Sequence, residues 1–149
     1  MSIKKQPHII EGKRFVDDRG ILLSVNNLSL EMYKRFYVIE NHSQNLIRAW
    51  HGHLLEEKVL IAIQGTFLVG AVALTSASNP SKEVSVERFV MDASNSQALL
   101  IPAGYANGFM SLSNSAKILV LSSTTLEESQ GDDYRFPYDY WDIWQIENR

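Results

Sequence analysis

The segment IRAWHGHLLEEKVLIAIQG, Ile47 to Gly65, holds His51 and His53 one residue apart, with Arg48 before them and Glu57 and Lys58 after. Imidazole changes charge near neutral pH, so two of them in one pocket suit proton transfer or metal binding. On a strand, residues two apart share a face, which puts His51 and His53 on the same side. Arg48 has the opposite parity and reaches their pocket only through a bulge or a strong twist. Arginine grips phosphate oxygens bidentately and lysine acts as a point charge. Arg48, Lys58 and, from a separate turn, Arg19 therefore suit a phosphorylated substrate. His8, near a terminus, and His42, at a strand end, are read as carrying no chemistry.

Short apolar runs broken by turn residues must position these groups. RFVDDRGILLSV reads as strand, turn, strand around Asp18-Arg19-Gly20. YKRFYVIEN and NLIRAWHGH follow as strands, and Gln64-Gly65-Thr66 makes a tight connection inside KVLIAIQGTFLVGAVAL. VSVERFVM alternates as a half-buried strand should. NSQALLIPAGYANGFMSLSNSAKILVLSS supplies two or three more strands, punctuated at Pro102-Ala103-Gly104 and Ser113-Asn114-Ser115. Only SLEMYKR and TLEESQ have room for helical turns. The aromatic tail YRFPYDYWDIW is expected to cover a sheet edge or pack on a second subunit. Many short strands at this spacing predict an all-β sandwich or barrel, and residues 1–149 read as one domain.

The composition narrows the function classes. A net charge of −3 and no basic run argue against nucleic acid as a partner. There is no cysteine, which removes disulfides, cysteine-based zinc sites and thiol catalysis, and fits a reducing compartment. MSIKKQPHII is too short and polar for a signal peptide, and no apolar run approaches the ~18–20 residues of a membrane helix. The expectation is a cytoplasmic protein with no membrane partner.

His51, His53 and Glu57 resemble the first half of the metal-binding cupin motif, H-x-H-x3-4-E, and such a set could hold a divalent metal. The second half of that motif supplies a histidine after P-x-G, where IPAGYANGF has Asn107. Asparagine is a poor transition-metal ligand, so the expectation is no metal and no other cofactor.

The wider pattern resembles the nucleotide-sugar branch of the cupins over most of the chain. FVDDRGIL is similar to the early D-x-R-G turn of the dTDP-4-dehydrorhamnose 3,5-epimerase family. IRAWHGH is similar to its L-R-G-L-H strand, and LIPAGYANGFMSLS to its I-P-x-G-x-A-H-G-F segment. The resemblance implies that Arg48 and Arg19 contact the diphosphate, Arg19 from a partner subunit. It implies that Lys58 holds phosphate or polarises the sugar ketone, and that His51 is the base. Three features depart from it. Asn107 replaces a histidine, Ser122, Ser123, Thr124 and Thr125 stand where the acid tyrosine is expected, and the chain ends before the aspartate that orients the base. RAWHGHLLEEKVLIAIQG and KRFYVI are also similar to sugar 3,4-ketoisomerases, which would place Tyr37 in the pocket.

Both subfamilies take a proton from the carbon beside a ketone and return it. His51 leads as base, with His53 as second base or orienter. Lys58 or Arg48 would stabilise the enolate, and Tyr37, Tyr105 or Tyr134 would return the proton. Tyr105, Tyr134 and Asn107 are grouped with Arg19 and Arg48 as substrate-binding residues. The resemblance thus implies a cupin (double-stranded β-helix, jelly-roll) homodimer. Its implied activity is epimerisation of a nucleotide-diphosphate 4-keto-6-deoxy sugar at C3, C5 or both, in surface polysaccharide or deoxysugar biosynthesis. The alternatives are a 3,4-ketoisomerase, a metal-dependent cupin and a non-catalytic sugar-nucleotide binder.

Overall fold

In the computed structural model, residues 5–149 are described; Met1–Lys4, within the segment judged unlike a signal peptide, lie outside them. Strands alternate with turns, as the sequence pattern requires. They are β1 (His8–Glu11), β2 (Lys13–Asp17), β3 (Gly20–Ser24), β4 (Arg35–Glu40), β5 (Ile47–His53) and β6 (Lys58–Gln64). Then come β7 (Thr66–Ala73), β8 (Glu87–Asp92), β9 (Gln97–Ile101), β10 (Tyr105–Ser111), β11 (Lys117–Ser122), α1 (Leu126–Gln130) and β12 (Tyr134–Arg135).

The strands form two facing five-stranded sheets, ordered β1-β9-β6-β11-β4 and β12-β5-β10-β7-β8, and a separate β2–β3 hairpin. From β4 to β7 the chain changes sheet at every connection, and it does so again from β8 to β12. This is the double-stranded β-helix of a cupin barrel. The corners fall at the expected turn residues. Gly65 takes φ 72° and Gly104 φ 88°, a region costly for any residue with a Cβ. Gln64-Gly65-Thr66 is thus a corner between sheets, since β6 and β7 are not paired.

The core lies between the sheets. Leu60, Phe67, Val69, Leu99, Phe109, Ile118 and Val120 pack there from alternate positions of their strands. A second cluster covers the outer face of the β5 sheet, where Trp50 meets Trp141 and Trp144 from the tail. The Trp50 and Trp141 rings sit edge to face at 5.4 Å. The Trp50 and Trp144 indoles both donate to the Tyr138 carbonyl, at 3.0 and 2.9 Å. The tail therefore covers a sheet face, and its β12 pairs along the β5 edge.

Of the two segments with room for helical turns, TLEESQ forms α1, capped by Thr125 and Glu128 in a reciprocal box. SLEMYKR does not. It makes a turn closed by a Tyr33 N–H to Leu30 carbonyl bond, and Arg35 already belongs to β4. The Tyr33 hydroxyl anchors this turn by donating to Glu57 at 2.9 Å. Among the described residues, no helix is long and apolar enough to cross a membrane.

Candidate active site

Strand β5 sets out the site. In its pairing with β10, His51 faces Asn107 and Arg48 faces Phe109. Ala49 and Trp50 thus oppose the single residue Gly108, which is a β-bulge. Trp50 and Ala49 both pack in the outer cluster, while Arg48, His51 and His53 line one cavity between the sheets. The bulge that the parity of Arg48 demanded is present.

The cavity measures about 510 Å³. His51, His53 and Arg48 of β5 share one wall with Asn107 and Phe109 of β10. Arg35, Tyr37 and Ile39 of β4, with Lys58, Leu60 and Val120, form the other. Leu126, Ser129 and Gln130 of α1, followed by Asp133 and Arg135, complete the lining. Four cationic side chains, Arg35, Arg48, Lys58 and Arg135, stand on this lining against one carboxylate, Asp133. In a chain of net charge −3, that local excess suits an anionic ligand.

Each cation is held. Arg48 Nε donates to Asn41 Oδ1 at 2.8 Å, and the buried Asn41 amide donates in turn to the Leu46 carbonyl at 3.2 Å. Arg35 donates to the Thr124 carbonyl and to Glu56, both at 3.1 Å, and its guanidinium lies 5.1 Å from the Tyr37 ring centre. Arg135 pairs with Asp133 at 3.0 Å. Lys58 is buried, which lowers its pKa, and its Nζ stands 3.9 Å from Glu56.

Glu56 is the hub beneath the cavity. Its fully buried carboxylate accepts from the Ser122 hydroxyl, from Thr124 Oγ1 at 2.9 Å and from Arg35, and lies 3.1 Å from His53 Nδ1. Burial alone would raise its pKa. The Ser122 hydrogen bond, the Lys58 charge, His53 and Thr124 outweigh that and hold it low, so it stays ionised. Asp132 locks the same turn by accepting from the backbone N–H groups of Leu54, Leu55 and Glu56 at 2.7, 2.9 and 2.9 Å.

The histidines differ. Burial, then the charges of Lys58 and Arg135, push the His51 pKa down to about 4, so His51 is neutral at pH 7. His53 is also lowered by burial and Lys58, opposed by Glu56 and Asp132. The Tyr37 hydroxyl is pushed up to about 12 by burial and the Glu56 charge, so it keeps its proton.

Six of the residues singled out in the sequence meet at this cavity: Tyr37, Arg48, His51, His53, Lys58 and Asn107. Three do not. Tyr105 is 7% exposed and packs into the inner core. Tyr134 pairs with Gly52 and so takes the outward parity, whereas its neighbour Arg135 pairs with His51 and lines the cavity. Arg19 sits at the β2–β3 hairpin tip, paired with Asp17 at 2.6 Å, outside the cavity of its own chain. Glu57, the carboxylate of the metal motif, bonds Tyr33 at 2.9 Å and Lys5 at 3.2 Å away from the histidines. Among the described residues, no group of three His, Cys, Asp or Glu side chains could hold a metal ion. The residues therefore do not fit the cupin metal centre.

Sequence reasoning missed Arg35, Glu56, Asp133 and Arg135. The signal for Arg35 was its two-residue spacing from Tyr37. Glu56 gave none, because residues 54–57 form a loop in which strand parity is lost.

Comparison with known proteins gives this geometry a family. The family model described as dTDP-4-dehydrorhamnose 3,5-epimerase matches residues 4–136. The chain belongs to this family. The dTDP-4-dehydrorhamnose 3,5-epimerase of Escherichia coli (strain K12) is 33% identical over 122 residues, covering 73% of this chain. The match spans 63% of that relative's length. Two solved structures share the fold. One is dTDP-4-dehydrorhamnose 3,5-epimerase from Bacillus anthracis str. Ames with TDP and PPi bound, with TM-score 0.77 and 18% identity over 95% of this chain and 86% of that one. The other is a 3,4-ketoisomerase from Helicobacter canadensis, with TM-score 0.67 and 21% identity over 93% of this chain and 96% of that one.

Proposed function

We propose that this family member is an epimerase of a nucleotide-diphosphate-linked 4-keto-6-deoxy sugar, acting at C3, C5 or both in surface polysaccharide or deoxysugar biosynthesis. The observation that carries this reading is the division of proton-transfer groups between the walls. The imidazoles stand on β5, and Tyr37 stands on β4 of the facing sheet. Inversion needs a proton taken from one face of a carbon and returned to the other. A base on one sheet and an acid on the opposite sheet meet that need.

An imidazole of β5 takes the proton beside the ketone, and the likeness of IRAWHGH to the family's histidine-bearing strand favours His51. The C–H electron pair moves onto the ketone oxygen. Lys58, close to both histidines in charge and desolvated by burial, stabilises the enolate. Tyr37 returns a proton from across the cavity. Arg48, Arg35 and Arg135 hold the diphosphate. The active form is a homodimer. The β2–β3 hairpin exposes Phe15, Val16, Ile21, Leu22 and Leu23, an apolar surface suited to a second subunit. Arg19, at the tip of that hairpin, would enter the partner's site. A cytoplasmic setting fits the cysteine-free chain.

One observation favours 3,4-ketoisomerisation as the second reading. His51 and His53 share a wall, and two imidazoles on one side could move a proton between neighbouring carbons on a single face. Incubation with dTDP-, CDP- and GDP-linked 4-keto-6-deoxy sugars, followed by NMR of the products, separates the two. Epimers are expected; a 3-keto product would establish the second reading, and no conversion of any would refute both.

A further inference from the structure

A buried carboxylate, Glu56, lies beside His53. His53 Nδ1 stands 2.6 Å from the Asp132 carbonyl and 3.1 Å from Glu56 Oε2. Both neighbours only accept hydrogen bonds, so Nδ1 must carry the proton. In the neutral ring, Nε2 is then a bare lone pair. Among the described residues, His53 Nε2 is the one buried side-chain nitrogen or oxygen without a hydrogen-bond partner. An unpaired buried polar atom is costly, and structures tolerate it where a ligand supplies the partner. His53 is part of the cavity wall.

His51 offers no such arrangement. The main groups acting on its charge are Lys58, Arg135 and His53, which oppose protonation, and Asp133, which favours it. Around His53, Lys58 opposes protonation, while Glu56 and Asp132 favour it. Glu56 is in turn fixed by Arg35, Ser122 and Thr124, three contacts that hold its carboxylate in place. Ser122 and Thr124 occupy the stretch where the family's acid tyrosine was expected. In this chain that stretch serves the carboxylate.

We propose that His53, positioned by Glu56, is the imidazole that removes the substrate proton, in place of the His51 marked by the family motif. This rests on the epimerase reading above. The C–H bond breaks, its electron pair becomes the enolate, and the proton passes to His53 Nε2. Glu56 and the Asp132 carbonyl stabilise the imidazolium through Nδ1–H. Glu56 is a positioning residue, since it touches His53 and not the cavity. The logic is that of a carboxylate orienting a catalytic histidine.

The test is deuterium exchange beside the ketone of dTDP-4-keto-6-deoxyglucose in heavy water, across a range of pD. It uses wild type, His51→Gln, His53→Gln, Glu56→Gln and Glu56→Asp. His53→Gln should lose at least ~10²-fold in exchange rate, and His51→Gln less. Glu56→Gln should bind dTDP as before, exchange more slowly, and show its acid limb at lower pD, because the charge that favours the imidazolium is gone. Glu56→Asp should restore part of the rate. A purely structural role for Glu56 would not move the acid limb. If His51→Gln abolishes exchange while His53→Gln and Glu56→Gln keep wild-type rates and profiles, the proposal is overturned. If Glu56→Gln fails to fold, nitrogen-15 NMR of wild-type His53 decides. A protonated Nδ1 and a bare Nε2 that shifts on saturation with the sugar nucleotide support the pair; an Nε2–H ring sinks it. If wild type exchanges no sugar, the epimerase reading fails, and the same NMR titration still judges the His53–Glu56 pair.

Discussion

Arg48 and His51 line the same cavity although they stand three positions apart on one strand, because β5 bulges opposite Gly108. Without the bulge, Arg48 would join Trp50 on the outer face. A Cβ on Gly108 would lie 2.5 Å from the Ala49 Cβ, well inside contact distance. Gly108→Ala is therefore expected to cost about 1–3 kcal/mol of stability, as overpacking does, and to weaken nucleotide binding as Arg48 shifts. Thermal melts and titration calorimetry check both. Wild-type stability and affinity would mean that the bulge does not depend on this close approach.

Arg48→Ala should weaken dTDP binding by about 1.5–3 kcal/mol, the range for a lost charged hydrogen bond. Wild-type affinity should fall with added salt, since contacts to an accessible diphosphate are screened. Titration calorimetry at several salt concentrations measures both. Unchanged affinity in the variant would separate Arg48 from the phosphates.

His51 links the site to acid stability. Its pKa is about 4 in the folded chain against an ordinary 6.5. Between those values the unfolded chain binds the proton and the folded one does not, so stability rises with pH across the window. The His51 contribution is complete above about pH 6.5 and is lost as the pH falls towards 4. His51→Gln should flatten the denaturation midpoint over that window relative to wild type. Parallel curves would mean that His51 is not desolvated as described.

Tyr37 faces the histidines from the opposite sheet and keeps its proton. Tyr37→Phe should lower product formation more than deuterium wash-in, because the base remains and the acid is gone. If Tyr37, the one tyrosine on that lining among the described residues, is the acid, inversion is expected at one carbon, C3, with the other much slower. NMR of both carbons over time checks this, and equal rapid inversion at C3 and C5 would refute it.

What was legible in the sequence followed period-two strands. His51 and His53 sharing a face and the turns at Gly65 and Gly104 come from local pattern, whereas Tyr37 in the pocket came from the resemblance to ketoisomerases. Tyr134 could not be placed that way, because its parity depends on its register against Gly52. Arg48 needed a bulge that alternation only posed as a condition. Glu56 was hidden because a loop breaks the phase and because Asp132, 76 residues away, holds that loop. Long-range contacts of this kind have no local signature.

The site is proposed to perform reversible proton removal beside a sugar ketone. Its most direct test is wild-type protein with dTDP-4-keto-6-deoxyglucose in heavy water, followed by proton NMR. The C3 proton signal should disappear as deuterium enters, together with appearance of the C3 epimer and retention of the ketone at C4. A protein that binds dTDP tightly yet leaves the C3 and C5 protons in place would contradict it, and would make this chain a sugar-nucleotide binder.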